Sequence, residues 1–167
     1  MAILNILKYP DDRLYKIAKP IERISDNVRQ LAADMAETMY AAPGVGLAAT
    51  QVDRHVQMIV LDVSPTHDQL ITLINPQITG QQGLAVREEG CLSLPGIYEE
   101  VERPERVTVR ALDITGHRFE LRAEGLLSVC VQHEMDHLRG RVFVQYLSRL
   151  KQNRIRTKLQ KQYRQSA

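Results

Sequence analysis

The sequence predicts an α+β fold. Antiparallel and mixed strands should pack around a central helix that carries a His-Glu-x-x-His pattern, with one helix on its N-terminal side and a basic helix at the C-terminal end. Three observations predict this. The 167 residues suit a single domain spanning 1–167. The apolar fraction of 44% beside 25% charged residues is ordinary for a globular chain. The apolar periodicity changes in the order helix, several strands, helix, helix, not in a strand–helix alternation.

Each element has its own signal. Ser25 is a plausible N-cap, and Val28, Leu31, Met35 and Met39 then recur at helical spacing to about Tyr40. The methionines read as core filling. Pro43-Gly44 ends that helix, and GVGLAATQ (44–51) follows as a glycine-containing segment. Strand-like runs come next at 55–63, 69–78, 106–114 and 117–123, with Thr115-Gly116 as the hairpin turn between the last two. EEGCLSLPG (88–96) reads as a short strand broken by Pro95-Gly96. Gly125 precedes the central helix, which runs to about Arg139, and Gly140 is its expected C′ residue. A last helix is expected over about 147–164, with Leu147, Leu150, Ile155 and Leu159 as a partial apolar stripe.

Composition excludes several classes. No run of 18 apolar residues exists, so no membrane-spanning helix is expected. The first residues show no basic region followed by a long apolar stretch, so no secretory signal is expected. Two cysteines, Cys91 and Cys130, make a poor disulfide framework and fit a reducing, cytoplasmic setting. The charge is asymmetric. All 20 acidic residues lie at or before Asp136, while nine basic residues and no acid follow His137. Such a tail suits a polyanionic partner, although a solvated helix face would look the same.

The chemistry is concentrated in VCVQHEMDHLRG (129–140). His133 and His137 are one helical turn apart and share a face, so both imidazoles can reach one divalent cation, with Glu134 beside it as a base for water. Two histidines need a third ligand. Metalloproteases of one class take a downstream glutamate, but no acid follows Asp136. Another class continues as HExxHxxGxxH, and here Phe143 stands where the last histidine belongs. The ligand must come from upstream. Cys130 shares the helix face, but its sulfur would have to span roughly 7 Å for a bond of about 2.3 Å, so it reads as a small apolar neighbour. His55, His67 and His117 fall in turns or at strand starts among polar residues. Cys91 remains. A Cys/His/His set with one open position is a catalytic pattern; a structural zinc site would close with a fourth protein ligand.

Three segments together, GVGLAATQ at 44–51, EGCLS at 89–93 and QHEMDHL at 132–138, resemble the peptide deformylase family, and the likeness extends over essentially the whole chain. The short bacterial type is the nearest in character. The resemblance implies a metal-dependent hydrolase that removes the formyl group from the N-terminal formylmethionine of nascent proteins. It implies Cys91, His133 and His137 as metal ligands. Glu134 would be general base and acid, and the Gln51 side-chain amide and Leu92 N–H would bind the oxyanion. Gly44, Val45, Gly46, Glu89, Gly90, Leu126, Val129 and Cys130 would contact substrate, the apolar ones around a methionine side chain. Ferrous iron (Fe2+) is implied in the cell, with Zn2+, Ni2+ or Co2+ able to substitute. A monomer that docks on the ribosome near the exit tunnel through its basic C-terminal helix is also implied. Tyr98 departs from the pattern, since some relatives carry arginine there. Asp136 should face away from the metal and anchor to Arg103. A metalloprotease and a non-catalytic, metal-stabilised RNA-binding module are the competing readings; the first lacks its downstream ligand, and the second leaves Glu134 and Gln51 without a role.

Overall fold

The computed structural model describes residues 2–166. After a 3₁₀ turn at Asp12–Tyr15, helix α1 covers Asp26–Ala41. Ser25 caps it, its hydroxyl accepting from the Val28 N–H. Met35 and Met39 are fully buried. Pro43 cannot continue the helix, and the Gly44 N–H closes the end on the Met39 carbonyl at 2.8 Å.

The main sheet contains β1 (Gly46–Ala48), β2 (Met58–Leu61), β3 (Ile71–Gln82), β6 (Arg106–Leu112) and β7 (Arg118–Glu124), side by side in the order β1-β2-β3-β6-β7. All its neighbours are antiparallel; the isolated bridge between Lys19 and Val56 is parallel. A second ribbon pairs β4 (Ala85–Cys91) with β5 (Leu94–Arg103). Helix α2 covers Gly125–Leu138, a 3₁₀ turn covers Phe143–Tyr146, and α3 covers Arg149–Ser166.

Alternation along β2 explains the layering. Met58 and Val60 belong to the cluster that α1 closes with Met35 and Met39. Ile59 and Leu61 point the other way, into a cluster with Val131, Met135 and Leu138 of α2. Successive strand residues face opposite sides, so a continuous apolar strand is buried on both faces by two helices. α2 thus lies against the sheet, with no face left to solvent after its first turn. The Arg139–Gly140 exit needs glycine for two reasons: φ is +74°, and a Cβ there would run into the Tyr15 carbonyl.

Two expectations are corrected. The 88–96 segment is not one strand broken at Pro95-Gly96. The chain turns at Leu92-Ser93, and Pro95 and Gly96 lie within β5. Pro95 and Gly96 fall where the pairing jumps from Leu94 to Tyr98, so neither opposes a β4 residue, and such a bulge tolerates a residue without N–H. The C-terminal stripe is also narrower than expected. Ile155 and Leu159 are buried against Leu94, Ile97, Val101 and Phe143, whereas Leu150 is exposed and Leu147 precedes the helix. Ile155 and Leu159 anchor one face at i, i+4 spacing, Tyr163 continues that line and Leu147 packs just before the helix, while the basic residues are left to water.

Candidate metal centre

Cys91, His133 and His137 converge. One donor atom from each lies within 4.8 Å of the others, and Cys91 Sγ is 3.3 Å from His137 Nε2. A tetrahedral ion with bonds of about 2.3 Å to sulfur and 2.0–2.1 Å to nitrogen would hold such atoms roughly 3.5 Å apart. Thiolate and imidazole are donors that a borderline or soft divalent ion prefers. The residues therefore fit the cation that the sequence implies. Cys91 reaches the site because the pairing of β4 with β5 shifts between Gly90 and Cys91, and a bulge re-aims a strand side chain. Among the described residues no other histidine, cysteine or carboxylate joins this group.

The two histidines are held differently. His133 Nδ1–H donates to Glu89 Oε1 at 3.0 Å. Since an ionised carboxylate only accepts, the lone pair of His133 stays on Nε2, toward the cluster. Burial would raise the Glu89 carboxyl, but hydrogen bonds from His133 and Arg103 and their charges hold it below its ordinary value. His137 is fully buried, and its Nδ1 has no partner among the described residues. Apart from the Cys91 Sγ contact at Nε2, packing orients that ring.

Glu134 sits beside the ligands in a dry position. It is buried, and its Oε1 has no hydrogen-bond partner among the described residues. Burial pushes its carboxyl up to about 7, against the pull of His133. Its other oxygen lies 2.7 Å from where a Cβ of residue 46 would stand, so only glycine at Gly46 lets the wall approach this close. Gln51 follows β1 in a 3₁₀ turn, Ala49–Val52. Its Oε1 accepts from the Ala48 N–H at 2.9 Å, which fixes the amide. Its Nε2 donates to Ser93 Oγ at 3.1 Å and points toward Cys91 Sγ at 3.6 Å. Leu92 directly follows the Cys91 ligand, and Lys8 Nζ donates to its carbonyl at 3.1 Å.

A cavity of 580 Å³ opens over this cluster. Its lining includes Gly44, Val45, Gly46, Gly90, Leu92, Leu126, Val129 and Cys130, beside Cys91, His133 and Glu134. Val45 and Leu126 are exposed at its mouth, and Val129 and Cys130 are buried in its wall. Burial, with Glu134 nearby, pushes the Cys130 thiol up to about 12, so it serves as an apolar wall. Glu89 also lines the cavity, and because both of its side-chain oxygens are committed to His133 and Arg103, its backbone is what it can offer there. Tyr98 is exposed at the rim, with its ring against Gly90.

A buried polar chain supports the ligands. Arg103 binds both oxygens of Glu89 and, through Nη1, Asp136 Oδ2 at 2.9 Å. Asp136 is thus anchored to Arg103, as expected. Tyr146 OH donates to the same Asp136 oxygen at 2.9 Å. The Glu89–His133 link, Ser93 and Tyr146 escaped the sequence reading. Strand parity could have revealed Glu89: two residues before Cys91, it shares that face, whereas Glu88 does not. No sequence signal marks Tyr146. The remaining histidines lie elsewhere: His55 contacts the Arg13 carbonyl, His67 stands edge-on to Tyr40, and His117 contacts Thr115.

Comparison with known proteins agrees with this geometry. Residues 3–153 match the sequence model of the family described as Polypeptide deformylase. The chain is 65% identical over 162 residues to peptide deformylase 1 of Burkholderia multivorans, covering 96% of this chain and 90% of that protein. Its fold is similar to the crystal structure of a peptide deformylase from Legionella pneumophila, with a TM-score of 0.95 and 47% identity, covering 99% of this chain and 98% of the other. It is similar also to the peptide deformylase of Ehrlichia chaffeensis in complex with actinonin, with a TM-score of 0.94 and 38% identity, covering 97% and 98% of the two chains.

Proposed function

Because the chain belongs to the polypeptide deformylase family, we propose that Cys91, His133 and His137 hold its divalent cation, that Glu134 moves the proton, and that Gln51 and the Leu92 N–H receive the negative charge. The reaction is hydrolysis that removes the N-formyl group from nascent peptides. A formamide is a stable amide, so water alone attacks it slowly at neutral pH. When bound, the cation supplies Lewis-acid polarisation and lowers the pKa of water toward neutrality.

The chain's own residues do the rest. Glu134 takes the proton of the attacking water as the C–O bond forms, and returns a proton to the amine nitrogen as the C–N bond breaks, leaving formate and a free N-terminus. Glu134 can do both because it is buried beside the ligands with one carboxylate oxygen free of partners among the described residues. The oxyanion falls to Gln51 Nε2, fixed in place by the Ala48 amide on its far end, and to the backbone N–H of Leu92. Gly44, Val45 and Gly46 form one wall for the peptide, and Glu89-Gly90 the other. Leu126, Val129 and Cys130 take the methionine side chain. One thiolate and two imidazoles suit Fe2+ in a reducing cytoplasm, with Zn2+, Ni2+ or Co2+ as substitutes. No helix of the described residues is long and apolar enough to cross a membrane. The chain acts as a single domain, 1–167, and as a monomer. It meets its substrates at the ribosome near the exit tunnel, through the basic face of α3.

The observation that carries this reading is the convergence of three donor atoms beside a buried, unpartnered carboxyl oxygen under an open cavity. The test is formate release from a formyl-methionyl peptide by the metal-loaded protein. Glu134→Ala should retain the metal and lose about 10²–10⁴-fold in kcat. A Glu134→Ala protein that keeps wild-type turnover would remove the assigned base.

A further inference from the structure

We propose that Tyr146, outside the cavity and in the turn that leads into α3, is a positioning residue for the metal ligand His133. The inference rests on the assignment of Cys91, His133 and His137 as ligands. The path is continuous. Tyr146 OH donates to Asp136 Oδ2 at 2.9 Å, and Arg103 Nη1 donates to that same oxygen at 2.9 Å. The other side of the Arg103 guanidinium grips both oxygens of Glu89, and Glu89 Oε1 receives His133 Nδ1–H at 3.0 Å. The Tyr146 ring also covers the guanidinium, with 5.2 Å from its Cζ to the ring centroid.

The hydroxyl matters because of where Asp136 sits. Its Oδ2 takes two donors, and two donors at one oxygen hold a carboxylate in one rotamer. With the hydroxyl gone, Asp136 keeps only Arg103, and the guanidinium gains freedom to swing. That swing is passed to Glu89, which grips the other edge, and from Glu89 to the His133 ring. The second histidine cannot take up the slack: His137 Nδ1 has no hydrogen-bond partner among the described residues. His133 is therefore the histidine ligand whose orientation a hydrogen-bond chain sets, and Tyr146 is the far end of that chain. It also stands at the surface, 49% exposed, three residues before α3 begins.

Metal retention is the direct readout. Cobalt-loaded protein is mixed with excess chelator, and loss of the visible cobalt absorption is followed. Loss of a direct partner of a histidine ligand weakens metal binding about 10–100-fold, and a group two links further out should act more weakly. Glu89→Gln should therefore release cobalt about 10–100-fold faster, and Tyr146→Phe about 3–10-fold faster. KM for a formyl-methionyl peptide should not change in Tyr146→Phe, because Tyr146 does not line the cavity. Tyr163→Phe is the matched control, since its hydroxyl donates to the Tyr9 carbonyl at 2.9 Å, away from this network. It should release cobalt as the wild type does. Adding Tyr146→Phe to Glu89→Gln should cause no further acceleration. Wild-type release from Tyr146→Phe, equal acceleration by Tyr163→Phe, or additivity in the double variant would each overturn the proposal. His133→Ala tests the underlying assignment separately: if it takes up cobalt as the wild type does, the ligand set itself is wrong, whatever Tyr146 does.

Discussion

Over fourteen residues α2 buries eleven side chains, among them Glu134, Asp136, His133 and His137. Over eighteen residues α3 buries two, Ile155 and Leu159, and turns seven basic side chains outward or to the rim. The two helices are charged for opposite reasons. A buried charge loses its water and must be compensated by partners or by a shifted protonation state, so its presence in α2 marks chemistry and its supporting network. A solvated charge on α3 loses almost nothing, so its presence constrains neither fold nor site and leaves the face free for a partner. The same residue types therefore carry different information according to which helix holds them.

The largest expected effect separates the two kinds of ion pair. Arg103 is buried between Glu89 and Asp136, and without it the two carboxylates lose their shared counter-charge and keep only His133 and Tyr146. Arg103→Ala should cost about 3–5 kcal/mol in denaturant unfolding. Lys151 on α3 reaches Glu99 at 3.4 Å, with 53% of its side chain exposed. Lys151→Ala should cost less than about 1 kcal/mol. Similar losses from the two would erase the distinction between the helices.

The next effect is smaller and depends on pH. Burial raises the Glu134 carboxyl from its ordinary 4.5 to about 7. Below about 4.5 the group is neutral in both folded and unfolded chains, and it contributes no penalty. Between about 4.5 and 7 the unfolded chain ionises first, so folding loses stability as pH rises, and the loss is complete above about 7. Glu134→Gln removes the ionisation. In the metal-stripped protein its Tm should match the wild type near pH 4.5 and exceed it by roughly 7–14 °C at pH 8. Lys158→Gln, on the exposed side of α3, should give the same small shift at every pH. A flat profile for Glu134→Gln would mean that the carboxyl is not desolvated as its burial implies. A carboxyl held in this position is thus expected to destabilise the fold that holds it.

What the sequence revealed follows the same division. His133, Glu134 and His137 were legible because a helical turn fixes their separation before any tertiary contact forms. Cys91 was legible by exclusion, since no acid follows Asp136 and the thiol of Cys130 is too short. The helix face of Asp136 showed that it turns from the metal, but the spacing did not select Arg103 as its partner; the contact itself shows that. The Glu89–His133 and Tyr146–Asp136 contacts were not legible, because each joins elements whose approach is decided only when the β4–β5 ribbon and the turn before α3 settle on α2. The chain reversal at Leu92-Ser93 was missed for a related reason: Pro95-Gly96 is strong local punctuation, and the register shift in the β4–β5 pairing absorbed it. Leu150 was misplaced in the stripe because α3 meets the body along one narrow line. Ile155, Leu159 and the partly buried Tyr163 share that line, and amphipathic spacing alone does not say how wide a helix's contact will be.

The smallest structural effect is expected where the functional one is most specific. If α3 offers its basic face to ribosomal phosphates, removing charge there should change ribosome binding and leave fold and turnover alone. Truncating the helix is a poor way to ask, because Ile155 and Leu159 pack against Leu94, Ile97 and Phe143, and removing a buried leucine side chain alone costs about 2–5 kcal/mol. Arg154, Lys158 and Lys161 are exposed, and all three can be changed to glutamate without touching that line. The triple variant should keep wild-type formate release from a short formyl-peptide and a Tm within a few degrees of wild type. Its ribosome binding should weaken, and the dependence of log K on log salt should flatten by about 2–3 for three lost phosphate contacts. An unchanged salt slope would show that these cations do not meet phosphate, and the basic face of α3 would then be no more than a solvated helix surface.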